Sequence, residues 1–147
     1  MVTLRQFSAL DAGVVREQMM LDASMEEVLQ TIQAWGSNAY QGKYFEMLAL
    51  TVDDTIVGSV SLYAHTNRIA SVGVEVFPGE RGRGYATEGM RRIIETAKMR
   101  GYRVIQDQVR ADNGASIALH EKLGFETDGY IYRNAKDRKV LIYLLCL

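Results

Sequence analysis

The residues best placed to do chemistry lie in one run, Ser71 to Thr87. Val72, Val74 and Val76 alternate with Ser71, Gly73 and Glu75, which is the period of a strand. Pro78, Gly79, Gly82 and Gly84 then break the pattern, and an amphipathic helical pattern starts at Tyr85. The first amides of a helix have no internal partner and carry the positive end of its dipole, so anions dock there. Gly82 and Gly84 let a phosphate approach the backbone and permit φ > 0. Arg81 and Arg83 add positive charge. The spacing fits neither the dinucleotide fingerprint nor the P-loop, and by itself it is also compatible with a plain loop that opens a helix. Glu75 is a charge within an otherwise apolar strand. Burying it unpartnered is costly, so it either faces a wet cleft or has a raised pKa, and both suit a general base. A water-facing structural carboxylate is the alternative.

A second cluster lies downstream. On a helical wheel Asn113, Ser116 and His120 fall within about sixty degrees of one another, flanked by Ile117, Leu119 and Leu123. Polar groups on that inward arc need partners, which a ligand could supply. Asp107, in the polar second half of a strand, is a candidate for binding a cationic group.

Arg81-x-x-Gly84-x-Ala86 resembles the R/Q-x-x-G-x-G/A motif of the GNAT superfamily, the acetyl-CoA-dependent N-acetyltransferases. Asn113-x-x-Ser116-x-x-Leu119-His120-Glu121-Lys122-Leu123-Gly124-Phe125 resembles that family's N-x-x-S-x-x-L-Y-E-K-x-G-F signature. The resemblance implies an α/β (α+β) fold with a mixed sheet of six to seven strands and about four helices, splayed between the fourth and fifth strands. It implies acetyl-CoA as co-substrate, with its pyrophosphate on Arg81, Gly82, Arg83, Gly84, Tyr85, Ala86 and Thr87. The pantetheine arm would lie along Val74 and Val76 and touch Asn113, Ser116 and His120. Glu75 would be the base. His120 stands where the family usually has a Tyr general acid, and Tyr85, Tyr130 and Tyr132 are reserves. The loop Gly36 to Lys43 with Trp35, Tyr40 and Tyr44 would face an amine acceptor. A non-catalytic acyl-CoA sensor on the same fold is the alternative, and a nucleotide-phosphate binder a weaker third.

The chain of 147 residues fits one domain, 1–147, and its net charge of −1 leaves no basic footprint for nucleic acid. No metal-ligand spacing stands out. One cysteine, Cys146, allows no internal disulfide. No apolar run nears the twenty residues of a membrane span. The expectation is a cytoplasmic protein with no membrane or nucleic-acid partner, and a homodimer is compatible with it.

The remaining elements follow from periodicity and caps. Val2 to Ser8 reads as a strand and Ala9 to Met20 as a helix. Ser24 with Glu27 reads as a capping box opening a helix to Trp35. Tyr44–Val52 and Thr55–Tyr63 read as strands joined at Asp53-Asp54, Tyr102–Val109 as another, and Asp128–Arg133 with Lys139–Leu145 as a final hairpin. His65, in the turn after Tyr63, reads as a surface residue.

Overall fold

The computed structural model describes residues 1–147. The chain runs β1 (Val2–Gln6), α1 (Ala12–Met19), α2 (Met25–Gly36), β2 (Ala39–Tyr40), β3 (Lys43–Val52), β4 (Thr55–Ala64), β5 (Ile69–Val76), α3 (Tyr85–Met99), β6 (Val104–Arg110), α4 (Gly114–Lys122), β7 (Tyr132–Arg133) and β8 (Lys139–Cys146). The sheet order is β1-β3-β4-β5-β6-β8-β7, with β2 paired to β3. All pairs are antiparallel except β5 with β6. Because β2 adds a strand, the expected splay falls between β5 and β6.

Local chemistry accounts for most boundaries. Ser24 Oγ accepts from the Glu27 amide at 3.1 Å and Glu27 returns the bond, so the capping box opens α2. Asp53 and Asp54 both sit at positive φ (50° and 65°), the geometry of a two-residue hairpin turn. Ala9 to Asp11 form a 3-10 turn ahead of α1, in place of the longer helix the pattern predicts. Asp11 is drawn to the backbone of Ser8 and to Arg5, which tightens that turn.

Alternation divides the side chains between two faces. Leu62, Val72, Ile105 and Tyr143 point to the face covered by α3 and α4, where Met90, Ile93 and Ala97 of α3 complete the main core. Ala49 and Met47 point to the other face, beneath α1 and α2 with Phe7, Val15, Val28 and Ile32. On β3 the pairing shifts by one residue between Leu50 and Thr51, so Val57 of β4 is extra. Beside that bulge Gly58 lies against β5. A Cβ there would press on the Glu75 carbonyl and stand 3.0 Å from the Val76 Cα. Gly58→Ala is therefore expected to lower stability by about 1–3 kcal/mol, since the opposing atoms are backbone and cannot swing away. Denaturant unfolding measures it, and an unchanged midpoint would remove the steric explanation.

Candidate active site

The two strands that part at the site do so through side chains. After Ile69 with Val104 and Ala70 with Ile105, the parallel β5–β6 ladder stops. The Ser71 hydroxyl donates to the Gln106 carbonyl. The Val72 amide donates to Asp107 Oδ1 at 2.9 Å. Two groups that a continuing ladder would use are thus satisfied by a hydroxyl and a carboxylate, and the strands open into a V. The Val72 amide points toward β6, so alternation sends the Val74 and Val76 peptides to the same side, into the gap.

A cleft of roughly 1060 Å³ fills the V. Along β5 it is lined by Val74, Glu75 and Val76, at the start of α3 by Ala86 and Thr87, with Arg81 beside them, and from β6 and α4 by Asp107, Asn113, Ser116 and His120. Residues from both motifs therefore meet in one space. Glu75 is exposed on the face away from α3, which answers how a charge is tolerated in that strand.

The amino end of α3 differs from those of α2 and α4. Ser24 caps α2, and Asn113 Oδ1 accepts from the Ser116 amide at 3.1 Å to cap α4. Gly84, the N-cap of α3, offers no side chain, so the first amides of α3 are left for an outside acceptor. Gly82 and Gly84 sit at φ 79° and 81°, and a Cβ on either would meet nothing within 4 Å. Backbone conformation, not crowding, calls for glycine there. Arg81 Nε donates to the Val76 carbonyl at 3.2 Å, which fixes the guanidinium at the cleft mouth. Arg83 pairs with Glu80 at 3.2 Å and, with Gly82, Gly84 and Tyr85, is not among the cleft-lining residues. Tyr85 packs beside Val2, Leu50 and Val57.

His120 and Asp107 are buried, 6% and 4% exposed. His120 Nε2 lies 2.8 Å from Asp107 Oδ2, and Nδ1 lies 2.8 Å from the Ser116 carbonyl. A carbonyl only accepts, so Nδ1 donates to Ser116, and beside an ionised Asp107 the Nε2 donates as well, an arrangement that favours the imidazolium form. Burial opposes that charge, but the hydrogen bonds to Asp107 and the Ser116 carbonyl, with the Asp107 charge, outweigh it and raise the pKa above the usual histidine value. His120, expected to hand its proton to a leaving group, lines the cleft but has both ring nitrogens engaged, by Asp107 and by the Ser116 carbonyl. Asp107, expected to bind a cationic acceptor, lines the same cleft with its two oxygens held by the Val72 amide and by His120.

Trp35 and Tyr44 also lie away from the cleft. Trp35 packs on Phe7 with ring centroids 5.1 Å apart, in the cluster under α1 and α2. The Tyr44 hydroxyl donates to Glu46 Oε1 at 2.6 Å, the oxygen that Arg100 also holds, just past the carboxyl end of α3. Burial first, and then Glu46, push the Tyr44 phenol's pKa up. Tyr40 is half exposed on β2 and stacks on Phe45 and Tyr63. His65 is exposed, as its reading as a surface residue has it, and also lines the cleft together with Ser71. The signal was the alternation Ser59, Ser61, Tyr63, His65, which continues one face of β4 past its end.

A parallel strand pair opened into a V, with an uncapped helix start at its mouth and a carboxylate on its wall, is the arrangement of a GNAT-type acyltransferase. The acetyltransferase (GNAT) domain profile matches residues 2–126, and the chain belongs to that family. The uncharacterized N-acetyltransferase YokL, from the SPbeta prophage of Bacillus subtilis (strain 168), is 26% identical over 128 residues, which is 85% of this chain and 71% of that protein. An acetyltransferase of Yersinia pestis (strain Pestoides F) is 37% identical over 84 residues, 57% of this chain and 60% of its own length, so the match spans less than two thirds of that relative. Among solved structures, the ribosomal L7/L12 alpha-N-protein acetyltransferase RimL in complex with coenzyme A superposes with a TM-score of 0.84 at 17% identity, covering 99% of this chain and 94% of that one. The spermidine N-acetyltransferase from Vibrio cholerae, with CoA and spermine, gives 0.79 at 17% identity over 99% and 95%. At those identities the shared feature is the fold. No helix is long and apolar enough to cross a membrane.

Proposed function

We propose that this chain moves the acetyl group of acetyl-CoA directly to a primary amine, with no acyl-enzyme. The observation that carries the reading is the position of Glu75: an exposed carboxylate on the wall of the same cleft that the uncapped end of α3 opens into. Acetyl-CoA would supply the activated acyl group, and relatives of this fold have been solved with CoA or acetyl-CoA bound.

The first amides of α3, at Tyr85, Ala86 and Thr87, would hold the diphosphate with Arg81 beside them. The Val74 and Val76 peptides, directed into the gap, would hold the amide-bearing arm as a neighbouring strand would. An amide there would also polarise the thioester carbonyl. Glu75 would take a proton from the incoming ammonium or amine, directly or through water. Asn113 and Ser116 line the arm's path from α4. The leaving thiol, with a pKa of about 8.5 if it resembles cysteine, can depart as thiolate and be reprotonated by solvent in an open cleft, so His120 need not supply the proton.

One observation favours the sensor reading: both nitrogens of His120 are engaged and no other acid is placed by this geometry. Arg81→Ala with Gly84→Val tests what both readings share. The double variant is expected to bind CoA at least about 100-fold more weakly by calorimetry, through lost charge-assisted contacts and a β-branched residue at positive φ. Unchanged affinity would refute the phosphate site. Thiol release from acetyl-CoA in the presence of an amine panel then separates enzyme from sensor.

A further inference from the structure

We infer that the acceptor is a monoamine with an aromatic or large apolar body, seated on a row of rings formed by Tyr40, Phe45, Tyr63 and His65. This rests on the acetyl-transfer reading above and on Glu75 marking the acceptor's side of the sheet.

The row lies on the face opposite α3, where α1 and α2 leave off. The cluster beneath those helices takes in Ala49 and Met47 of β3 but not Phe45 or Tyr63. Ring centroids are 5.7 Å apart for Tyr40 and Phe45, 5.8 Å for Tyr40 and Tyr63, 6.5 Å for Phe45 and Tyr63, and 5.3 Å for Tyr63 and His65. Tyr40 is 51% exposed. Rings at these separations make one continuous surface rather than scattered exposed side chains.

The row is continuous with the cleft. Tyr63 stands opposite Ser71 in the β4–β5 register, and His65 and Ser71 both line the cleft wall. The Ser71 hydroxyl gives its only proton to the Gln106 carbonyl, so at 2.6 Å it accepts from His65 Nε2–H. That bond sets the His65 ring edge-on to Tyr63 at 71°. From Ser71 to Glu75 is four residues of strand, about 13 Å, and the side chains between them on this face are only Gly73 of β5 and Ser61 of β4. A slot with a small-residue floor thus leads from the carboxylate to the rings.

Charge decides between the classes of amine. The carboxylates lining the cleft are Glu75 and Asp107, and Asp107 is consumed by Val72 and His120. One free carboxylate matches one ammonium. A polyamine's further cations would find no other free anionic partner among the cleft-lining residues, and the cross-strand neighbour of Tyr40 on β3 is a cation, Lys43. An apolar body loses nothing by that neighbour and gains ring contact.

The test is steady-state kinetics with acetyl-CoA and phenylalaninamide, alaninamide or spermidine, beside CoA binding by calorimetry. Wild type is expected to show kcat/KM for phenylalaninamide at least about tenfold above the other two, the discrimination an apolar subsite supplies. Tyr63→Ala should bring the phenylalaninamide-to-alaninamide ratio to within about twofold of unity and leave CoA affinity unchanged, while Tyr63→Phe keeps the preference. Tyr40→Ala, at an exposed site that threatens no core packing, should lower the ratio in the same direction. Equal or better turnover of alaninamide or spermidine overturns the inference, as does a ratio that survives Tyr63→Ala, or CoA binding with no turnover of phenylalaninamide. Failure to bind CoA would instead take down the acetyl-transfer reading itself.

Discussion

Asp107→Ala is expected to lower the unfolding free energy by about 3–5 kcal/mol, the cost of stripping one partner from a buried ion pair. The magnitude follows from what the carboxylate holds: the His120 imidazolium at 2.8 Å on one oxygen and the Val72 amide at 2.9 Å on the other. Its loss leaves an orphaned amide and a buried ring without a counter-ion. Denaturant unfolding measures the change, and a loss below about 1 kcal/mol would show that water or a neighbour substitutes freely. The same variant should invert a pH dependence. In the wild type the folded-state pKa of His120 lies above its unfolded value near 6.5, so the folded state binds the proton more tightly. That contribution is complete below about pH 6.5 and is lost as pH rises through the higher folded value. Without Asp107, burial becomes the main influence on the ring and depresses the folded pKa, so this residue's contribution then grows as pH rises from that depressed value to about 6.5, below the wild-type window.

Glu75→Gln is expected to lower kcat by about 10²–10⁴-fold, the usual worth of a positioned general base, with CoA affinity unchanged. The carboxylate is exposed and makes no hydrogen bond or ion pair within the chain, so its removal breaks nothing structural. A variant that retains more than about a tenth of wild-type kcat would assign proton removal elsewhere and leave Glu75 as a water-facing residue.

The parts of this molecule that could be read in advance are those fixed by neighbours in sequence. The Ser24–Glu27 cap, the Asp53-Asp54 turn and the glycines that open α3 each declare themselves within four residues. The β2 hairpin had a signal too: Gln41 and Gly42, at φ 51° and 76°, form a two-residue turn between Tyr40 and Lys43, hidden within a polar stretch. The opening between β5 and β6 could not be read this way. Asp107 meets Val72 thirty-five positions back in the chain, and only the parallel pairing of β5 with β6 brings them together. From sequence alone Asp107 was a free charge near a cleft. Its partner His120 was legible as inward-facing but not as doubly engaged. Trp35 and Tyr44 were placed by proximity to a loop, whereas the face each occupies is set by packing on Phe7 and by the pull of Arg100 and Glu46.

The substitution of a hydroxyl and a carboxylate for two rungs of the sheet means that the gap between β5 and β6 belongs to the folded chain, guest or no guest. Prying strands apart is work that a ligand would otherwise have to do, and here it is completed during folding. A pantetheine arm docking there, as proposed above, would find its edge already bared, and none of its contact energy would be spent on parting the strands.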